Sequence, residues 1–158
     1  MKRQTVTIAG VPAVLYGERS RRAYLYLHGK NGCKEEAERF AATACEAGWQ
    51  VLAIDLPEHG ARKNSPEQLL PWVVVPELQA VYARMKPVWA HIRLYGVSIG
   101  AWLAMQALQG LYAIGSGGLW GKGLGNSIQK LGKIPEPYND YMFSIICEEL
   151  GIFGAGLV

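Results

Sequence analysis

The sequence predicts an α/β fold with a mainly parallel sheet over residues 1–108, followed by a segment of different character over 109–158. Three observations carry this expectation. Apolar runs of strand length alternate with stretches of helical spacing, the pattern of βαβ units. Residues 91–108 read as strand, tight turn and helix around Gly96-Val97-Ser98-Ile99-Gly100. The composition then shifts: residues 111–158 hold 10 of the 19 glycines but only 7 of the 29 charged residues.

At 158 residues, half of them hydrophobic and 18% charged, the chain can bury one ordinary core. A net charge of +3 without a basic run excludes nucleic acid as a partner. Cys33, Cys45 and Cys147 are odd in number and lack C-x-x-C spacing, which reads as reduced thiols in a cytoplasmic setting. Neither a metal nor a cofactor is implied. Met1-Lys2-Arg3-Gln4 is basic but no apolar stretch follows it, so no signal peptide is expected. The nearest candidate for a membrane span is Tyr141 to Val158, and it carries Glu148 and Glu149 side by side.

In chain order, Thr5–Ile8, Ala9-Gly10 and Val11–Tyr16 read as a β-hairpin, with Pro12 placing the second arm at an edge or bulge. Ala23–Leu27 is a buried strand that runs into His28-Gly29-Lys30-Asn31-Gly32. Lys34–Gly48 has helical character, with Phe40, Ala41, Ala44 and Cys45 on one face and Gly48 at the stop. Val51–Leu56 is the next strand. Ser65-Pro66-Glu67 resembles a helix start, and Pro71 and Pro76 argue for two pieces or a kink before Met85. His91–Tyr95 reads as a short buried strand and Ala101–Leu108 as a helix.

Gly96-Val97-Ser98-Ile99-Gly100 is the G-x-S-x-G of a nucleophile elbow, between a strand and a helix as that motif requires. So tight a turn forces the serine into strained dihedrals and tolerates no bulk two residues to either side. Ser98 is the candidate nucleophile for acyl transfer. The N–H of Ile99, directly after it, is a candidate oxyanion donor, and losing one such donor costs about two to three powers of ten in rate.

Strand-His28-Gly29-x, strand-Asp55-x-Pro57-x-His59-Gly60 and strand-Gly96-x-Ser98-x-Gly100 together resemble the first half of an α/β-hydrolase, over residues 5 to 108. The resemblance implies a second oxyanion donor, the backbone N–H of Lys30. It implies that His28 and Gly29 orient that loop and that His59 is structural. Glu58 stands where the family more often has glycine. The family's acid and histidine follow the serine in chain order, yet His28, His59 and His91 all precede Ser98. Without a base the serine hydroxyl stays protonated and poorly nucleophilic.

From Gln109 the reading changes. Gly115 to Ser127 has neither helical nor strand period, and Lys122 is followed by Gly123, which breaks the phosphate-binding pattern G-x-x-x-x-G-K-[ST]. Ala113-Ile114-Gly115-Ser116-Gly117-Gly118-Leu119, Gly121-Lys122-Gly123-Leu124-Gly125, Gln129-Lys130, Pro135-Glu136, Asp140 and Glu148-Glu149-Leu150-Gly151 resemble the SEDS family of FtsW and RodA type. Those membrane proteins polymerise peptidoglycan glycan strands. The resemblance implies an extracytoplasmic loop leading into a membrane helix, with Asp140 at the family's acidic position.

The combined expectation is a truncated α/β-hydrolase-like sheet with flanking helices, then a glycine-rich loop over 114–137 and a C-terminal apolar helix, partly helical from about 139 to 152. The two families would abut near 108–110 as a chimera. The function expected is ester, thioester or amide hydrolysis of a small acyl substrate, silent for want of a base. The alternatives are a fragment of a cell-division glycan polymerase and a non-catalytic oligomerising module. The edge of the 91–95 strand is expected to drive self-association. The location is cytoplasmic, or membrane-associated through residues 141–158.

Overall fold

A computed structural model of the chain describes residues 1–117 and 123, with side chains through residue 108. The chain divides into two units, Met1–Ala104 and Met105–Val158. The first contains β1 (Arg3–Ile8), β2 (Val11–Tyr16), β3 (Arg22–Leu27), α1 (Glu38–Glu46), β4 (Gln50–Ile54), α2 (Pro71–Met85) and β5 (His91–Gly96). Single 3-10 turns at Lys34–Ala37 and Gly60–Arg62 precede α1 and α2. Helix α3 (Ile99–Gly117) starts in the first unit and continues into the second.

The five strands lie in the order β1-β2-β4-β3-β5. β3 pairs in parallel with β4 and with β5, whereas β2 is antiparallel to both β1 and β4. The sheet is therefore mixed, which corrects the expectation of a mainly parallel one. The hairpin is the reason: a two-residue turn can join only antiparallel strands. Ala9 at φ +50° and Gly10 at +82° give that turn the left-handed dihedrals that match strand twist.

From β3 the chain crosses through α1 to β4 on one side, then through α2 to β5 on the other. Right-handed crossovers in opposite directions put α1 and α2 on opposite faces. On the α1 face Val14, Tyr16, Tyr26, Val51 and Ala53 pack with Ala37, Ala41 and Ala44, while Phe40 and Cys45 are partly buried there, as the helical spacing predicts. Leu25, Leu27, Leu52 and Ile54 alternate with them and are buried on the other face, and α2 buries Val74, Val75, Leu78, Val81 and Met85. The direction of strand addition reverses at β3, which opens a crevice at the carboxyl ends of β3, β4 and β5.

Several local expectations need correcting. β2 is an interior strand despite Pro12. The β2–β4 ladder starts at Ala13 opposite Ile54; one residue beyond it the Pro12 carbonyl accepts the Asp55 N–H at 3.0 Å, and the Asp55 carbonyl accepts Arg62 at 3.3 Å in place of the N–H that proline lacks. The helix expected at Ser65-Pro66 starts instead at Pro71, with proline at the first helical position. It runs unbroken to Met85 through Pro76 rather than in two pieces. β5 is not buried: it alternates exposed and half-buried residues, because among the described residues it pairs with β3 alone. Helix α3 does not stop near Leu108 but runs to Gly117, into the stretch expected to be a loop. Leu103, Ala107, Leu111 and Ile114 continue a helical spacing there, and each added residue extends an existing ladder, which offsets glycine's cost of about 1 kcal/mol. The rest of the glycine-rich loop, Asp140 and the C-terminal apolar helix lie outside the described residues.

Among the described residues no helix is long and apolar enough to cross a membrane.

Candidate functional site

The crevice collects the three motif loops. β3 and β5 end side by side, Leu27 opposite Gly96, and the Val97 N–H donates to the Leu27 carbonyl at 3.0 Å. The chain then reverses into α3 through Ser98, whose φ is +50°. A serine in this left-handed region costs about 1–3 kcal/mol, so the surroundings must enforce it. They do so by proximity. A methyl group on Gly100 would lie 2.5 Å from the His28 carbonyl oxygen and 2.6 Å from that of Leu27. One on Gly96 would overlap the Ala101 backbone. Only glycine fits at either position.

Ser98 is exposed, and its hydroxyl has no hydrogen-bond partner among the described residues, while its carbonyl accepts the N–H groups of Ala101 and Trp102. Gly29 abuts it: a methyl group there would sit 3.7 Å from Ser98 Cβ. The next residue, Lys30, is exposed and its side chain makes no ion pair among the described residues. Ile99 opens a 19-residue helix, so its N–H is one of the donors that a helix start leaves unmatched. The positive end of the helix dipole lies at the same place.

The histidines are engaged elsewhere. His28 is fully buried, and its Nε2 accepts the Leu56 N–H at 3.0 Å. Nδ1 must then carry the proton, which it donates to the Gly29 carbonyl at 2.8 Å. Burial pushes its pKa down, more than the Gly29 hydrogen bond raises it, so the ring is neutral. His59 repeats the arrangement: Nε2 accepts the Asn31 N–H at 2.9 Å and Nδ1 donates to the Pro57 carbonyl at 2.7 Å. The two rings lie 5.1 Å apart and lace the loops after β3 and β4 together. His91 is exposed at the start of β5, so a strand's length of about 20 Å separates it from Ser98.

Asp55 anchors both loops from beneath. Its buried carboxylate accepts the Lys34 N–H at 2.8 Å, Lys34 Nζ at 2.6 Å and the Ala61 N–H at 2.9 Å. Burial alone would raise its pKa, but these donors outweigh it and hold the carboxyl below its ordinary value. Burial pulls Lys34 down and the bonds to Asp55 and Glu35 more than restore it. Asp55 also lies against Gly60 so closely that a Cβ there would overlap its carboxylate. Arg62 then ties the loop to α2 through a two-pronged pair with Glu77 at 2.6 and 2.9 Å, and donates to the Asp55 carbonyl at 3.3 Å. Glu58 adopts φ +64°, so the chain keeps the left-handed conformation that glycine takes more easily.

A cavity of about 370 Å³ opens between these loops, lined by Lys30, Asn31, Glu58, His59, Lys63 and Leu69 among others. Lys34, Asn31, Arg62 and Glu77 support this site without belonging to any sequence motif. Asp55 stands inside one of the three sequence motifs.

Known proteins divide the chain in a similar way. Residues 101–158 match the sequence model of the FtsW/RodA/SpoVE family of cell cycle proteins. Stage V sporulation protein E of Bacillus subtilis is 42% identical over 81 residues, which are 51% of this chain and 21% of that protein. The probable peptidoglycan glycosyltransferase FtsW of the same organism is 54% identical over 50 residues, 32% of this chain and 12% of that one. The chain thus spans about a fifth or less of these relatives. Among solved structures, TT1662 from Thermus thermophilus superimposes with a TM-score of 0.55 at 26% identity, covering 77% of this chain and 55% of its own. An esterase/lipase from an uncultured bacterium gives 0.55 at 24% identity, covering 72% and 40%. The structural neighbours are α/β-hydrolases, and residues 101–158 match the FtsW/RodA/SpoVE family.

Proposed function

We propose that residues 1–108 are a serine-hydrolase core that presents Ser98 to a small acyl substrate, and that the 158-residue chain by itself does not turn such substrates over. In this reading the Ser98 oxygen attacks an ester, thioester or amide carbonyl. The N–H groups of Lys30 and Ile99 then receive the negative charge that forms on its oxygen. The hydroxyl proton has to leave during attack, and a neutral histidine with a free ring nitrogen is the usual acceptor. The observation that carries the reading is that His28 and His59 each commit both ring nitrogens to backbone groups, while His91 sits at the other end of β5. The match of the C-terminal segment to an unrelated family supports a chimeric origin, with the join inside α3.

Hydrolysis of p-nitrophenyl acetate by the purified chain tests this. The expected rate is near background and unchanged in Ser98→Ala. A burst of one equivalent of p-nitrophenol that vanishes in Ser98→Ala would overturn the inactive reading.

A second reading, a fragment of a glycan-polymerising membrane protein with Asp140 as its acidic residue, is favoured by the family match over 101–158. It expects the expressed chain in the membrane fraction, extractable only by detergent. Recovery in detergent-free supernatant would count against it.

A further inference from the structure

We propose a second binding site, for a phosphate-bearing anion, at the end of the sheet remote from Ser98. A cavity of about 570 Å³ lies there between the turn before β3 and the loop after α2, within the size range of small-molecule sites. Arg19, Arg21 and Lys86 line it, and no acidic residue does. None of the three cations has an ion-pair partner among the described residues. Their neighbour Arg22 is different: it is spent on the Ala47 carbonyl at 3.3 Å and on the Trp49 ring. The cavity between the loops after β3 and β4 differs too, since Glu58 there offsets Lys30 and Lys63.

The walls are fixed, whereas the cations have no carboxylate partner among the described residues, and Lys86 Nζ lies over the Tyr82 ring at 6.0 Å. Gln50 Oε1 accepts both the Trp89 indole N–H at 2.8 Å and the Ser20 N–H at 3.3 Å, so one buried side chain ties the two walls together. Ser20 Oγ donates to the Gly48 carbonyl at 2.7 Å and accepts the Arg22 N–H at 3.1 Å. The Arg21 carbonyl accepts the His91 N–H at 3.1 Å. Buried Trp89 also lines the cavity. A second, smaller cavity of about 190 Å³ shares Arg19 and adds Lys2, which extends the basic lining.

Two guanidinium forks and an ammonium lining one cavity without a carboxylate suit a doubly charged group with several acceptor oxygens. Phosphate meets that description better than a single carboxylate. The group could arrive on a soluble phosphorylated molecule or on a lipid headgroup, and both sources present the same chemistry.

The test uses the full chain with two probes: pyrophosphate by calorimetry, and co-sedimentation with phosphatidylcholine vesicles with and without phosphatidic acid. The expected result is saturable binding of at least one probe that weakens as sodium chloride is raised. Arg21→Gln and Lys86→Gln should each weaken it about tenfold, the scale of one charged hydrogen bond. Lys63→Gln, in the other cavity, should change it less than about twofold on the same scale. Pyrophosphate binding assigns a soluble ligand, and binding only to phosphatidic acid vesicles assigns a headgroup. Failure to bind either probe, equal loss in Lys63→Gln, or full binding in Arg21→Gln and Lys86→Gln would each overturn the proposal. All three substituted residues are exposed, and an unchanged circular dichroism melting curve verifies the fold of each variant.

Discussion

Replacing Lys34 by Met should destabilise the first unit far more than an ordinary lysine substitution. The Lys34 side chain is 8% exposed and the Asp55 carboxylate is fully buried, so their 2.6 Å contact is a buried ion pair. Met keeps the packed stem and removes the cation. Asp55 retains the N–H groups of Lys34 and Ala61, which leaves a buried carboxylate with donors but without a counter-charge. Breaking such a pair on one side costs about 3–5 kcal/mol. The two retained donors place the expected loss near the lower bound, about 3 kcal/mol at pH 7.

The pH dependence follows from the directions of the shifts. Asp55 has a folded pKa below its unfolded value, so its contribution is present above about pH 4 and disappears as the pH falls through the folded value. Lys34 has a folded pKa above its unfolded one, so its contribution is present below about pH 10 and disappears as the pH rises through the folded value. The gap between wild type and Lys34→Met should be widest between those limits and narrow on acidification, as Asp55 takes up a proton in the variant first. Equilibrium urea unfolding followed by tryptophan fluorescence measures it. A gap below about 1 kcal/mol at pH 7, the scale of an exposed pair, would refute the reasoning, as would a gap unchanged down to pH 3.

Three further outcomes follow from the backbone. Glu58→Gly should raise the unfolding midpoint, because relief of left-handed strain, about 1–2 kcal/mol, exceeds glycine's extra unfolded freedom of about 0.4–1 kcal/mol; a lowered midpoint contradicts this. Gly100→Ala should cost at least about 1–3 kcal/mol in the same unfolding experiment, since the methyl group meets two fixed carbonyls, and an unchanged midpoint would exclude so close a contact. The side of β5 that no strand pairs with among the described residues should drive association, so light scattering is expected to give a multiple of 17.3 kDa, and a monomer at all concentrations refutes it.

Strand positions in the first unit were legible because apolar runs and glycine punctuation are local signals: Val51–Leu56 and Ala23–Leu27 announce β4 and β3 directly. Pairing is not local. Pro12 argues for an edge only if no other donor replaces its missing N–H, and here Arg62, remote in sequence, donates to the Asp55 carbonyl opposite it. Ser65-Pro66 and Pro71 offer equivalent helix starts in sequence, and tertiary contacts choose between them. The Arg62–Glu77 pair links the loop before α2 to the helix itself, a juxtaposition no spacing rule reveals. The site divides in the same way. Gly96 and Gly100 stand out because a tight turn demands glycine there, and Ser98 because the motif they frame sets a nucleophile between them. Lys34 and Asn31 do not, because a lysine near a helix start and an asparagine in a turn occur for many reasons. His28 illustrates the middle case: the family resemblance implies a loop-orienting role, but only the hydrogen bonds to Leu56 and Gly29 identify which nitrogen is spent on each.

The most direct test of the central claim is the tautomeric state of the two loop histidines. Nitrogen-15 chemical shifts of the imidazole rings should show His28 and His59 each carrying a proton at Nδ1, with Nε2 accepting a hydrogen bond. Neither spectrum should change in Ser98→Ala. A His59 ring protonated at Nε2, or an Nε2 resonance that moves when the Ser98 hydroxyl is removed, would place a base at the serine and contradict the account.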